Sequence, residues 1–319
     1  MHYLLTGGAG FIGSHLAERL LKDGHSLTIL DDFSTGREAN ISHLRSNSKL
    51  EVIRDTVENE QTAALVVSKA DAIFHLAAAV GVKLVAEEPV RTIRTTIHGT
   101  EVILDAAHRF GKPVLITSSS EVYGKGTRVP FHEEDDVLMG ATQFSRWCYA
   151  YSKGIDEFLG LAYHKQFGLP VTLVRLFNTV GPRQVGMYGM VLPSFIAAAL
   201  ANQPLEVYGD GNQTRCFCHV WDVVDALIKI MGTPKAIGDV FNLGGLEEIS
   251  INDLARRVIA LSNSKSEIKH IPYEQAYGRA FDDLPRRVPD LTRIKSVIGF
   301  APHFNLDQII KSVLDEQRR

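Results

Sequence analysis

The sequence predicts an α/β fold: a doubly wound parallel sheet with a smaller C-terminal lobe interleaved with it. Three observations carry that expectation. Short apolar runs alternate with helical patterns through the first half of the chain. The runs are apolar throughout rather than at every second residue, as in parallel strands covered on both faces. Glycines spaced three apart stand where the first run gives way to the first helix.

The elements follow in order. Residues 2–6 (HYLLT), 26–31 (SLTILD), 50–54 (LEVIR), 72–76 (AIFHL) and 113–117 (PVLIT) read as buried strands. Leu16, Leu20 and Leu21 fall at helical spacing between the first two, and Gly24 stops that helix. Ile93, Ile97, Val102, Ile103 and Ala106 form a helical apolar face before Gly111. Strand-helix alternation with right-handed crossovers builds the sheet, and runs at 170–177 (PVTLVRLF) and 239–243 (DVFNL) extend it. From about residue 179 glycine and proline become frequent ("GPRQVGMYGM", "YGDGNQTR"), and the tail reads as short helices. The expected division is 1–178, joined by about 215–245, for the sheet domain, and 179–319 for the smaller lobe.

Composition narrows the function. The 319 residues are 45% apolar and 22% charged, enough for a large core in a globular protein. A net charge of -3 argues against nucleic-acid or membrane-surface partners. No apolar run approaches the roughly 20 residues of a membrane span. The start "MHYLLTGGAGFIG" lacks the basic flank of a signal peptide, so a cytoplasmic location is expected. Cys148, Cys216 and Cys218 read as free thiols. The twelve histidines show no ligand cluster, and no metal is expected.

"TGGAGFIG" places Gly7, Gly10 and Gly13 at the strand-to-helix turn, with Phe11 and Ile12 opening the helix. Glycines let the backbone turn tightly and approach a pyrophosphate, and the helix start offers N–H groups and a favourable dipole. Asp31 ends the second strand, where a carboxylate accepts hydrogen bonds from an adenosine ribose. With Asp32 beside it, a 2′-phosphate would be repelled, which selects NAD over NADP. Asp55, after the third strand, is expected to reach the adenine. Leu76, Ala77 and Ala78, in "FHLAA", are expected to border the cofactor, with His75 on the same side.

The catalytic pattern is "YAYSK". Tyr149 and Lys153, at i and i+4, share one helix face. An ammonium there is expected to lower the tyrosine pKa, so that the phenol acts as a base toward a sugar hydroxyl. About thirty residues earlier, "TSSSEVYG" supplies Ser119, Ser120 and Glu121.

Together with "TGGAGFIGSHL", "DDFSTGR", "RLFNTVGPRQ", "VYGDGNQTRCFCHVWDV", "FNLGG" and "RRVPD", these stretches resemble the extended short-chain dehydrogenase/reductase family, in its nucleotide-sugar epimerase and decarboxylase branch. The resemblance spans nearly the whole chain. It implies a tightly held NAD in a Rossmann-type domain, a UDP- or dTDP-sugar in the cleft between lobes, and a homodimer formed through a bundle that includes the tyrosine helix. Ser119 matches the hydroxyl that binds the sugar 4-OH, Tyr149 the base, and Lys153 its partner at the nicotinamide ribose. Asn178 matches a diphosphate-binding amide. Arg215 and Arg287 match cations near the diphosphate or sugar, and Arg183 and Tyr208 are assigned to the same substrate side. One departure is Thr96, in "TTIHGT", where the family usually carries asparagine.

The shared first step would make a 4-keto sugar. The ketone can then be reduced on its other face, lose carbon dioxide from a 6-carboxylate, or lose water across C5 and C6. Epimerisation needs the fewest added groups, so a UDP-hexose or UDP-hexuronate 4-epimerase is the first expectation. UDP-glucuronate decarboxylase is the alternative, because the resembling decarboxylases carry glutamate at the Glu121 position and "SRWCYAYSK" is similar to one of them. Ser120 in place of an aspartate disfavours the dehydratase. The presence of both Tyr149 and Lys153 disfavours a non-catalytic NAD-sensing protein.

Overall fold

The computed structural model describes residues 1–79, 81, 85, 87–186, 190–277 and 284–318. Seven parallel strands form one sheet: β1 (His2–Thr6), β2 (Ser26–Leu30), β3 (Leu50–Ile53), β4 (Ala72–His75), β5 (Val114–Ser119), β6 (Val171–Leu176) and, late in the chain, β11 (Val240–Leu243). Their order is β11-β6-β5-β4-β1-β2-β3. All seven sequence-predicted strands are present, each within a residue or two of its expected bounds. The continuous apolar runs have the expected cause: β4 and β11 are buried at every position.

Helices cover both faces. On one lie α1 (Phe11–Lys22) and, from later in the chain, α7 (Val220–Met231) and α10 (Thr292–Ile298), packed on Leu5, Ile29, Leu115 and Phe241. The short α2 (Glu38–Ile41) follows β2. On the other face lie α3 (Glu60–Lys69), α4 (Pro89–Phe110) and α5 (Arg146–Phe167), against Leu4, Ile73, Ile116 and Leu173. α1 ends at Lys22, and Gly24 with φ +88° releases the chain toward β2.

The remaining chain forms β7 (Thr179–Val180), α6 (Val191–Leu200), β8 (Leu205–Tyr208), β9 (Thr214–Cys216), β10 (Cys218–His219), β12 (Glu248–Ser250), α8 (Ile251–Ser262), β13 (Ile268–Ile271), α9 (Tyr273–Tyr277), β14 (Arg286–Arg287) and α11 (Leu306–Gln317). Leu192, Ile196, Leu205, Val207, Leu254, Val258, Ile310 and Val313 make a third core beside the sheet domain. β14 pairs in parallel with β9 and brings Arg287 opposite Arg215.

β1 pairs with β2 on one side and β4 on the other, so the connections diverge there. At such a switch point the helices leave a crevice beyond the carboxyl ends of the strands. One expectation is corrected on α4. Val102, Ile103 and Ala106 are buried, but Ile93 is 39% exposed. Val90 on α4 and Ile155 and Phe158 on α5 are exposed too, so the first half of the expected apolar face looks outward. The three cysteines are free, as expected, with Cys216 and Cys218 buried. Among the described residues, no helix is long and apolar enough to cross a membrane.

Candidate active site

A cleft of about 1080 Å³ opens at the switch point. It exceeds the roughly 300–1,000 Å³ of a single small-molecule site. Every residue the sequence assigned to cofactor, catalysis or substrate lines it, except His75. Their environments are not all those expected.

The cofactor end is built by sterics and by an uncapped helix. Gly7 has φ +70°, and a Cβ there would stand 2.9 Å from the backbone nitrogen of Ala77. A Cβ on Gly13 would collide with the Gly7 carbonyl and the Gly8 Cα. No side chain caps α1, and its first turn, Phe11 to Gly13, lines the cleft, so N–H groups and the positive helix end face one space. At the end of β2, Asp31 accepts N–H bonds from Ala9 and Phe33, each at 2.8 Å. Each oxygen keeps a second lone pair for a hydroxyl. Burial raises the Asp31 pKa, while the two backbone bonds oppose that rise. Asp32 is exposed beside it and lines the cleft, whereas Arg37 is exposed and does not line it. The donor set therefore fits a dinucleotide with a free ribose and rejects a 2′-phosphate.

Asp55 lines the cleft and orders the entry into α3: Oδ1 accepts from Thr56 N (2.8 Å), and Oδ2 accepts from Asn59 Nδ2 (2.8 Å) and Thr62 Oγ1 (2.6 Å), so Oδ1 keeps a second lone pair. One cofactor-side expectation changes. His75 does not line the cleft. It is buried behind it, with Nδ1 2.8 Å from Thr6 Oγ1 and Nε2 3.1 Å from Thr100 Oγ1. Burial, then the Lys153 charge, drops its pKa to about 3, so the imidazole is neutral.

The residues that the sequence assigned to catalysis meet where β5 ends against α5. Ser119 Oγ accepts from Glu121 N at 3.2 Å and hydrogen-bonds the Tyr149 hydroxyl. Ser118, one residue earlier, donates to Glu157 Oε1 at 2.5 Å, and Arg175 clamps Glu157 with bonds of 2.9 and 2.7 Å. That buried cluster fixes the strand end to the tyrosine helix. Ser120 is buried in the turn.

Lys153 departs from expectation. Its ammonium pairs with Asp156 Oδ2 at 3.0 Å, with both side chains buried. The Tyr149 pKa is raised rather than lowered: burial comes first, then Glu121 and Asp156, with only the Ser119 bond opposing. In this state two carboxylates act on the phenol, and the ammonium is neutralised by one of them. Thr96 is also buried, and its hydroxyl has no partner among the described residues.

On the substrate side Glu121 is the hub. Arg287 Nη1 lies 2.5 Å from Oε1 and Arg146 Nη2 3.4 Å from Oε2. The Arg146 guanidinium stacks over Trp147, 5.2 Å from the ring centre. Arg215 is buried and donates to the carbonyls of Thr214 and Leu284, both at 2.8 Å. Asn178 has φ +31° and lines the cleft, and one of its two amide N–H groups donates to the Cys216 carbonyl at 2.9 Å. Arg183 reaches away from the lobe it starts in: it bonds Glu18 at 2.6 Å and Ser14 at 3.4 Å on α1. It joins the cofactor helix to the substrate side. Tyr208 lines the far end, where Gln213 Nε2 joins its carbonyl to the Tyr273 hydroxyl.

Sequence reasoning missed two residues. Arg146, three before Tyr149, shares its helix face, and that spacing was a usable signal. Asp156 had none, because a carboxylate three residues after a lysine is ordinary on any exposed helix.

The uncapped glycine turn, the acidic end of β2 and the serine-tyrosine-lysine set define a Rossmann-type enzyme of the short-chain dehydrogenase/reductase class, with a second lobe over its site. The chain belongs to the GDP-mannose 4,6 dehydratase family, whose model matches residues 4–313. A UDP-N-acetyl-alpha-D-glucosaminuronate decarboxylase of Bacillus cytotoxicus is 45% identical over 312 residues, 98% of this chain and 96% of that one. UDP-glucuronic acid decarboxylase 1 of Danio rerio is 36% identical, over 96% of this chain and 70% of its own. Among solved structures, a UDP-glucuronic acid 4-epimerase of Bacillus cereus, in complex with UDP-glucuronic acid and NAD, aligns with TM-score 0.90 at 27% identity, covering 100% and 99% of the two chains.

Proposed function

We propose that this protein is a UDP-hexuronate decarboxylase. The observation that carries the reading is Glu121 held between Arg287 and Arg146 beside Tyr149. The chain is an enzyme of the NAD-dependent UDP-sugar epimerase and decarboxylase group. Within that group the sequence's first expectation, epimerisation, gives way to its alternative, which the curated relatives favour. The relative at 45% identity favours a 2-acetamido hexuronate as the preferred substrate. The solved epimerase supports the second reading, a UDP-hexuronate 4-epimerase.

NAD, when bound, supplies the reversible oxidation at C4 of the sugar. The first turn of α1 would hold its pyrophosphate, Asp31 its adenosine ribose, and Tyr149 and Lys153 its nicotinamide ribose. Tyr149 takes the 4-OH proton, and Ser119 orients that hydroxyl. Once C4 is a ketone, the 6-carboxylate is a β-keto acid. The C5–C6 bond breaks, carbon dioxide leaves, and the electron pair spreads as an enolate over C5, C4 and O4. Tyr149 and Ser119 stabilise that oxygen, a proton added at C5 gives a 4-keto pentose, and reversal of the C4 oxidation, with Tyr149 returning its proton to O4, gives the pentose nucleotide.

Arg287 orients the departing carboxylate. That carboxylate must lose its charge to leave, so a grip that is too strong stabilises the ground state and slows the reaction. Glu121 shares Arg287 and moderates the grip. In a neutral-sugar epimerase this arrangement would serve nothing.

The proposed units are 1–178 with about 215–245 for the cofactor domain, joined by the stretch around α10, where Leu291, Ile294 and Phe300 pack in the core of the sheet, and the rest of 179–319 for the substrate. Val90 and Ile93 on α4, with Ile155 and Phe158 on the adjoining α5, form an exposed apolar face that suits a second copy of the chain. Sedimentation analysis should give a dimer. A monomer at micromolar concentration would remove that part of the proposal.

The function itself is tested by products. The purified protein is incubated separately with UDP-glucuronate, UDP-N-acetylglucosaminuronate and UDP-glucose, and products are resolved with mass detection. The expected result is a pentose nucleotide, lighter by one carbon dioxide, from a hexuronate and no change to UDP-glucose. A new product of unchanged mass would instead make the protein an epimerase.

A further inference from the structure

Behind the cleft runs a buried line of polar groups. Ala77 N donates to Thr6 Oγ1 at 3.2 Å, and Thr6 Oγ1 lies 2.8 Å from His75 Nδ1. His75 Nε2 is 3.1 Å from Thr100 Oγ1. Asp156 stands next to this line: the Thr100 side chain favours its ionised form, and the Lys153 ammonium lies 3.0 Å from its Oδ2 with both side chains buried. Asp156 Oδ1 is buried with no hydrogen-bond partner among the described residues, so the ion pair is held through one oxygen.

We infer that Asp156 is a positioning residue for the reaction: it holds the Lys153 ammonium in place and sets the pH at which Tyr149 becomes a base. The inference rests on the roles proposed for Tyr149 and Lys153. Asp156 is one of the charges that raise the tyrosine, after burial and Glu121. The other charged groups around the pair are accounted for. Glu121 faces Tyr149 from the turn after β5 and is paired with Arg146 and Arg287. Glu157 is neutralised by Arg175. His75, from β4, is uncharged. Among the described residues Asp156 is therefore the acidic group in contact with the lysine, and removing its charge leaves the full ammonium to act on the phenol.

The test is Asp156→Asn in the NAD-loaded protein, read two ways. One is the rising limb of the pH profile for turnover of the hexuronate. The other is an ultraviolet difference titration of the tyrosinate, with the matching Tyr149→Phe chain as blank, which reads Tyr149 whether or not any substrate turns over. Both midpoints should fall by about one pH unit. Asp156→Glu, which keeps the charge, should return them toward the wild-type position. Should the asparagine variant fail to fold, Asp156→Ser carries the same expectation. A tyrosinate midpoint unchanged or raised by loss of the carboxylate would overturn the inference. A lowered midpoint in a protein that releases no carbon dioxide would uphold it and overturn the decarboxylase reading instead.

Discussion

Replacing Tyr149 with phenylalanine should cut turnover of the hexuronate by roughly 10²- to 10⁴-fold, the range for loss of a positioned general base. The ring is kept and only the hydroxyl is lost, so packing at the head of α5 survives. Ser119 keeps its bond from the Glu121 N–H, and the fold of the cleft floor should be unchanged. NAD loading and UDP affinity should stay within a factor of a few, because the uncapped start of α1, Asp31 and the substrate-side arginines are untouched. The measurement is single-turnover formation of NADH from UDP-glucuronate, beside calorimetric titration with UDP. Full turnover in the variant would mean that another group removes the 4-OH proton. Loss of UDP binding would mean that the hydroxyl is structural.

Glu121→Gln should separate decarboxylation of a hexuronate from epimerisation of a neutral sugar. The amide keeps the shape of the side chain and can still accept from Arg287, but it gives up the charge that binds both guanidinium groups. Arg287, 2.5 Å from the carboxylate in the native protein, is then free to grip the 6-carboxylate of the substrate. The expected signature is a lower KM for UDP-hexuronate with kcat reduced roughly 10²-fold, the pattern of stronger ground-state binding without a matching gain in the transition state. An epimerase acting on a neutral sugar has no carboxylate to over-stabilise, and its turnover would be nearly unchanged. Glu121→Ser, the smaller side chain, removes the carboxylate that Arg287 and Arg146 share. It should show the same fall in kcat with a further loss of stability, since two partly buried cations lose a counter-charge. If both variants turned over UDP-glucuronate at the native rate, Glu121 would be a residue that only orders its loop.

Much of the protein is legible in its sequence. Strands β1 to β6 and β11 are readable because parallel strands covered on both faces must be apolar at every position, a local property. The glycine turn is readable because strand, turn and helix are consecutive and the steric demand at Gly7 and Gly13 arises within that stretch and the neighbouring strand end. Tyr149 and Lys153 are readable because i and i+4 share a helix face whatever lies beyond it.

What the sequence by itself determined, then, is the sheet, the glycine turn and the placing of Tyr149 and Lys153 on one helix face. Only the tertiary structure decided who pairs with whom. Arg287 meets Glu121 across 166 positions because β14 docks beside β9. Arg183 turns back to Glu18 on α1, and an amide donor of Asn178 goes to the Cys216 carbonyl. Lys153 pairs with Asp156 rather than lowering Tyr149, because α4 and β5 pack against α5 and a buried ammonium takes the nearest carboxylate. The physical reason is common to all four. A charge or an amide donor chooses its partner by distance and by what burial removes from water, and neither quantity exists until separate parts of the chain have packed together.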